Sequence, residues 1–119
     1  MNILIFLTSI FMFVVGAAKL WGAKPLADQF EEFGLPKAAM YVVGALEVVA
    51  AITLHIDLLT FYTACGLIML MIGAIFNHVK VNHPLPSNAP AFLVLILSAV
   101  IAINSWSSAG ELFSLLGLN

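Results

Sequence analysis

Residues 40–54 read Met40-Tyr-Val-Val-Gly-Ala-Leu-Glu-Val-Val-Ala-Ala-Ile-Thr-Leu54, an apolar run interrupted by one charged residue, Glu47. With its flanks this run approaches the length of a membrane-spanning helix, which needs about 20 mostly apolar residues. A carboxylate near the middle of such a helix costs a few kcal/mol to insert, so it usually marks a function or a contact inside a helix bundle. The run therefore predicts a membrane helix whose Glu47 faces protein rather than lipid.

The composition of the whole chain agrees with a membrane location. The protein has 119 residues, of which 63% are hydrophobic and 8% charged, and its mean hydropathy is +1.13. A soluble domain carries about 25% charged residues. Four lysines, six acids and no arginine cannot cover a water-facing surface, so we interpret the chain as an integral membrane protein. The net charge of −2, without clustered basic residues, argues against a nucleic-acid partner.

Four apolar segments predict four membrane spans in one domain. The fold class is therefore all-α, an integral membrane four-helix transmembrane bundle. The first segment lacks the basic start of a signal peptide and is longer than its usual apolar core, so we expect it to be a retained span. The connection after the second span, His55-Ile-Asp57, is very short, which predicts an antiparallel hairpin with the third. The predicted spans are about 3–21, 37–55, 58–79 and 90–106.

The two longer connections differ in character. Leu26, Phe30 and Phe33 are spaced for one face of a helix that begins near Pro25 and stops at Gly34. This pattern predicts a short amphipathic helix lying at the membrane interface after the first span. The other connection, residues 80–89, contains two prolines and is predicted to be irregular.

The lysines predict the orientation of the bundle. An even number of spans places both termini on one side, together with the short turn, and both long connections on the other side. All four lysines fall on the long-connection side, and cytoplasmic loops carry an excess of lysine and arginine. We therefore expect a multi-pass protein of the bacterial inner membrane, with cytoplasmic long loops and periplasmic termini. The four are Lys19, Lys24, Lys37 and Lys80.

Polar residues within the predicted spans cluster towards one leaflet. Lys19, Asn77 and His78 lie near the long-connection ends of their spans, and Glu47 lies roughly 15 Å below that side. Each lies beside small residues of its own helix, and small residues mark close helix packing in membranes. The predicted packing stripes are Gly16 on the first span, Gly44, Ala50 and Ala51 on the second, Gly66 and Gly73 on the third, and Ala91, Ser98 and Ala102 on the fourth.

These patterns predict a buried polar pocket with Glu47, Lys19, His78 and Asn77 as ligand-binding or proton-exchanging candidates. The alternative is structural: Glu47 bonds to Lys19 or Ser98 and only locks the helices together. A direct contact between Glu47 and Lys19 has to bridge a depth difference of about 10 Å.

The sequence offers little support for a metal site or for thiol chemistry. His78 and His83 are five residues apart, but no third ligand accompanies them, so no metal site is predicted. Cys65 is the only cysteine, which excludes an intramolecular disulfide or a redox pair.

Several stretches together resemble the DoxX-like family of small four-span membrane proteins. The resemblance covers nearly the whole chain, and Lys19 and Glu47 stand at positions where the family carries a basic residue and an in-membrane acid. The matching stretches are Gly16-Ala-Ala-Lys-Leu20, Phe30-Glu-Glu-Phe-Gly-Leu-Pro36, Gly44-Ala-Leu-Glu-Val-Val-Ala50 and Gly66-Leu-Ile-Met-Leu-Met-Ile-Gly-Ala74 followed by Asn77-His78.

The resemblance implies a role beside membrane redox systems, such as a thiosulfate:quinone oxidoreductase or a superoxide-detoxifying assembly. It also admits assembly factors and cargo receptors among distant relatives. Without a cysteine pair or haem ligands, redox chemistry by this chain requires a bound quinone or a partner subunit. The leading hypothesis is a pocket for a quinone or membrane lipid, or an accessory redox subunit; the alternative is a non-enzymatic chaperone or scaffold, and a small proton-coupled transporter ranks third. Whether the chain is an enzyme, and whether its apolar outer faces form a homodimer, stays open at this point.

Overall fold

A computed structural model describes residues 2–81, 89–106 and 114. Within these residues all regular structure is helical, which confirms the all-α prediction. The irregular connection and His83 lie largely or wholly outside the described residues. The helices are α1 (Asn2–Trp21), α2 (Lys24–Glu32), α3 (Lys37–Thr53), α4 (Thr60–Lys80) and α5 (Ala89–Asn104).

Each predicted span contains one helix, but the helices differ in length. α1 and α4, with 20 and 21 residues, are long and apolar enough to cross a membrane, and the pair α2 and α3, bent by 119°, gives a third candidate. α5 is apolar but has 16 residues. At a rise of about 1.5 Å per residue it is about 24 Å long, somewhat less than the hydrocarbon thickness of about 30 Å. A full set of four crossings therefore stays a prediction.

The closest helix contact joins α1 to α3 through two glycines. A Cβ atom added to Gly16 would lie 2.7 Å from the Gly44 carbonyl oxygen, and one added to Gly44 would lie 2.8 Å from the Gly16 oxygen. Neither position leaves room for a side chain, so the two backbones touch. The predicted packing stripes of α1 and α3 are thereby confirmed, as glycine pairs of this kind permit close approach of membrane helices.

α4 packs closely on α5 but only loosely on α3. At the turn between α3 and α4, Thr53 and Thr63 share a hydrogen bond of 2.7 Å, and the Thr60 hydroxyl donates to the Leu54 carbonyl. At the far end, Lys80 Nζ donates to the carbonyl of Phe33, just before α3. The predicted hairpin has its antiparallel course, but its two helices are separated along their middle.

The glycines of α4 lie where the two helices are apart. An added Cβ at Gly66 or Gly73 would meet no atom within 4 Å, so the prediction that these glycines mark close packing is wrong. By contrast, Ala91, Ser98 and Ala102 are buried, as predicted for α5. The α4 glycines border an open space between α3 and α4.

The outer surface of the bundle is apolar. Large side chains on the outside of α1, α4 and α5 are strongly exposed, for example Ile3 (73%), Met69 (74%) and Ile103 (75%). A soluble protein rarely exposes so much contiguous apolar surface, whereas lipid covers it without cost. Met12, Leu67 and other apolar side chains form the buried core between the helices.

The short helix α2 has the amphipathic character predicted for it. Pro25 occupies its first turn, where the missing N–H is not needed, and Phe30 is buried while Glu31 and Glu32 are exposed. Gly34 follows it with φ of 78°, a conformation that favours glycine. Its position at the membrane interface stays a prediction.

Candidate functional site

Lys19 and Glu47 form a direct ion pair. The Lys19 ammonium lies 2.6 Å from Glu47 Oε1, and the two side chains are 12% and 1% exposed. The contact follows from the glycine crossing, because Lys19 Cβ lies 2.8 Å from the place where a Gly44 side chain would begin. Lys19 therefore lies level with Gly44, one helical turn from Glu47. The depth difference of about 10 Å expected from helix ends alone disappears once the helices cross in this register.

Of the two partners expected for Glu47, Lys19 and Ser98, the structure shows Lys19. Ser98 is fully buried, and no described residue is within hydrogen-bonding distance of its hydroxyl. Glu47 bonds to the cation of α1 instead of the hydroxyl of α5. A charge-assisted bond of this kind is roughly twice as strong as one between neutral groups, so it holds α1 and α3 in one register.

Two aromatic residues cover the polar end of the bundle: Phe30, which belongs to α2, and Phe33, which follows it. The Lys19 ammonium lies 5.8 Å from the centre of the Phe30 ring, within the range of a cation–π contact. Phe33 meets the His78 ring edge-on, with centroids 5.0 Å apart. Lys80 donates a 3.0 Å hydrogen bond to the Phe33 carbonyl. These contacts join α2 and the turn after it to α1 and α4.

A groove of about 560 Å³ lies between α3 and α4 beneath these aromatic rings. Leu46 and Met69 line it and are themselves 49% and 74% exposed, so the groove opens sideways, where lipid would surround the bundle. The lining is polar at the α2 end, apolar along the middle, and polar again at the turn. The lining residues include Lys19, Gln29, Phe30, Phe33, Val43, Leu46, Val49, Ala50, Thr53, Thr63, Gly66, Leu67, Met69, Leu70, Gly73, Asn77 and His78.

The structure separates the predicted site residues into two groups. Lys19, Asn77 and His78 line the groove, although the Asn77 amide also donates to the Gly73 carbonyl at 3.0 Å. Glu47 is not a lining residue and lies between α1 and α3, bonded to Lys19. The structure thus places the Glu47 carboxylate outside the groove lining, and Lys19 is the side chain that connects it to the groove.

Other lining residues were not anticipated as part of a site. Gln29 and Phe30 come from α2, whose apolar spacing predicted a buried face but not what that face covers. Thr53 and Thr63 close the other end of the groove through their shared hydrogen bond. No sequence signal distinguishes an α4 glycine that borders open space from an α1 glycine that touches a backbone.

A second polar contact lies at the opposite end of the bundle. The Ser9 hydroxyl donates to the Ala51 carbonyl, so His55 Nε2, 3.0 Å from Ser9 Oγ, must be the donor of its bond to that oxygen. His55 and His78 thus lie at opposite ends, as the sequence indicated. Within residues 2–81 and 89–106, no three His, Cys, Asp or Glu side chains are grouped as metal ligands would be.

The apolar exterior, together with helices long and apolar enough to cross a membrane, identifies the chain as a small helical membrane protein. The model of the DoxX-like family matches residues 3–102, and the chain belongs to this family. It is 30% identical over 94 residues to the Bacillus subtilis (strain 168) protein named "Putative oxidoreductase CatD", a match that covers 79% of this chain and 69% of the relative. No solved structure matches the chain.

Proposed function

We propose that the groove between α3 and α4 binds an amphipathic membrane molecule of the quinone or lipid type. The single observation that supports this most strongly is the distribution of polarity along the groove. Lys19, Asn77 and His78 line one end, whereas aliphatic side chains such as Val43 and Leu70 line the middle. Small-molecule sites are typically apolar with a few placed polar groups, as this groove is.

The lining chemistry suits a carbonyl-bearing head group. An ammonium group has three N–H donors. Lys19 uses one on Glu47, and no other hydrogen bond joins it to the described residues. Its remaining donors can hold an acceptor oxygen at the polar end, while an apolar tail lies along α4 past Gly73 and Gly66. A quinone bound there would supply two-electron redox chemistry; the chain's own part is to bind and orient it. Proton exchange by Glu47 would reach the groove through Lys19.

A redox role would involve a partner. The named Bacillus relative is described by its name as an oxidoreductase, and we propose that this chain serves a membrane redox system as an accessory subunit. Cys65 is the only cysteine, so the chain cannot cycle a dithiol by itself. Electrons for a bound quinone would come from a partner subunit. We place the protein in the bacterial inner membrane, in the predicted orientation.

Filling the groove tests this proposal. Gly66→Phe and Gly73→Phe add a ring where an added Cβ meets open space, so both variants should fold while occupying the groove. Wild type reconstituted with a short-chain ubiquinone should show saturable binding by native mass spectrometry, and both variants should lose it. Ala45→Phe is the matched control, because Ala45 is exposed on α3 and does not line the groove. Equal binding by wild type and both glycine variants would contradict the proposal.

The buried ion pair favours a second candidate function, a non-enzymatic scaffold whose polar cluster fixes helix packing. Removing one partner of a buried pair costs about 3–5 kcal/mol, because the other charge is left unpaired. Lys19→Met should therefore lower the thermal stability strongly, and adding Glu47→Gln should restore part of it. Under the scaffold hypothesis, Lys19→Met alters assembly with the partner, measured by co-purification. The groove-filling variants Gly66→Phe and Gly73→Phe leave that assembly unchanged. The scaffold hypothesis would be excluded if Gly66→Phe and Gly73→Phe lost ubiquinone binding while Ala45→Phe kept it.

A further inference from the structure

We infer that Glu47 sets the charge selectivity of the groove, so that it accepts amphiphiles with an uncharged, hydrogen-bond-accepting head group and rejects anionic ones. This inference rests on the proposed function and specifies the class of ligand. It gives Glu47 the role of a specificity-determining residue that acts through Lys19, without contact with the ligand.

The argument begins with the charges that face the groove. Among the described lining residues, Lys19 carries the only lysine ammonium and none is an aspartate or glutamate. Lys80 is close by but donates to the Phe33 carbonyl and does not line the groove. His78 lines it with its ring edge-on to Phe33. A ligand at the polar end therefore meets one permanent cation, Lys19.

Glu47 weakens the attraction of that cation for an anion. Its carboxylate lies 2.6 Å from the Lys19 ammonium. A phosphate oxygen bonded to the same ammonium at about 2.9 Å would lie within about 5.5 Å of the Glu47 oxygen. Because the Coulomb energy falls as the inverse of distance, repulsion at that distance offsets about half of the attraction or more, and the cost of removing an anion from water remains. A carbonyl or hydroxyl oxygen avoids that repulsion and most of that cost, yet still accepts the unused N–H donors of Lys19.

The burial of the ion pair preserves this repulsion between Glu47 and an anionic ligand. Glu47 is 1% exposed and Lys19 12% exposed, so water and salt screen the carboxylate weakly. The Phe30 ring lies beside the ammonium and limits its movement away from Glu47. An anionic head group could escape this repulsion only by displacing Glu47 from Lys19, which would leave a buried carboxylate unpaired.

Two amphiphiles with the same acyl chain test the inference. Monooleoylglycerol is uncharged, and oleoyl lysophosphatidic acid is its phosphate ester. We expect wild-type protein in detergent at about pH 8, above the ordinary histidine pKa of about 6.5, to bind the uncharged ligand at least about tenfold more tightly. Native mass spectrometry of an equimolar mixture measures the preference. Glu47→Gln should shift it towards the phosphate ester, whereas Glu47→Asp, which keeps the charge, should retain it.

The outcomes separate this inference from the proposed function. Binding of both amphiphiles by wild type without a preference, or with a preference for the phosphate ester, overturns the inference and leaves the groove as a binding site. An unchanged preference in folded Glu47→Gln overturns it too. If wild type binds neither the two amphiphiles nor a short-chain ubiquinone, the proposed function and the inference are both overturned. Where Glu47→Gln does not fold, equal binding of the two amphiphiles by wild type, or a preference for the phosphate ester, still overturns the inference.

Discussion

Gly16 and Gly44 determine the site without taking part in its chemistry. Their missing side chains let the backbones of α1 and α3 touch, and that contact brings Lys19 within bonding distance of Glu47. Other glycines of the chain serve the opposite purpose. Gly66 and Gly73 leave space unfilled and so form part of the groove wall. The same residue type therefore closes one helix interface and opens another.

At this scale we predict that Gly16→Ala destabilises the protein. The new methyl group would lie 2.7 Å from the Gly44 carbonyl oxygen, which is backbone and cannot rotate away. Overpacking of this kind costs roughly 1–3 kcal/mol. Thermal unfolding in detergent, followed by circular dichroism, should show a lower midpoint. The control is Gly73→Ala, whose Cβ meets no atom within 4 Å and which should unfold at the wild-type temperature or above; equal midpoints for the two variants would contradict the prediction.

Among the elements, α2 closes the polar end of the groove. Gly22 precedes it and Gly34 follows it, with φ of 82° and 78°, so the chain turns sharply at both ends. Phe30 beside Lys19 and Phe33 against His78 hold it in place. The position of α2 thus depends on two turns as well as on two aromatic contacts.

We predict that Gly34→Ala loosens α2. Space is not the obstacle, since an added Cβ would meet no atom within 4 Å. The left-handed backbone conformation itself costs an alanine about 1–2 kcal/mol. Hydrogen exchange should therefore become faster for the amides of residues 24–32. Gly66→Ala, in an open position of α4 with ordinary helical φ, should leave that exchange unchanged; slow exchange in both variants would show that the aromatic contacts alone hold α2.

At the scale of the whole molecule, the bundle consists of two tightly packed pairs, α1 with α3 and α4 with α5. The groove lies where the two pairs face each other, joined at one end by Thr53 and Thr63 and at the other by Lys80. The N-terminal end of α1 lies beside His55 and Asp57, whereas the lysines are at the opposite end. By the rule that cytoplasmic loops carry an excess of lysine and arginine, this asymmetry of charge predicts an orientation of the bundle in a membrane.

We predict that Asp57 faces the periplasm and Lys24 the cytoplasm. Both residues are exposed, and a Cys65→Ala background removes the only native cysteine. A membrane-impermeant maleimide applied to cells with a permeabilised outer membrane should label Asp57→Cys. Lys24→Cys should react only after the inner membrane is disrupted. The reverse pattern of labelling would show that the orientation is opposite to the predicted one, with the polar end of the groove on the periplasmic side.

Much of the fold could be predicted because its causes are local. Hydropathy and helix-ending residues located the five helices of the described residues, and the spacing of Leu26, Phe30 and Phe33 identified α2 among them. The candidate residues were also placed at the correct end, because depth follows from position along a helix. What failed was a statement about a pair of helices, the close packing of Gly66 and Gly73, and the sequence left open whether Glu47 bonds to Lys19 or to Ser98.

The sequence by itself determined that this is a helical membrane protein with Lys19, Glu47, Asn77 and His78 grouped towards one side. Only the tertiary structure decided that Glu47 lies behind Lys19 instead of in the pocket, and that the open space lies between α3 and α4. The physical reason is that hydropathy and helical periodicity act over a few turns of one segment. The register and separation of two helices depend on every contact between their surfaces, and there a glycine permits either a backbone contact or a gap.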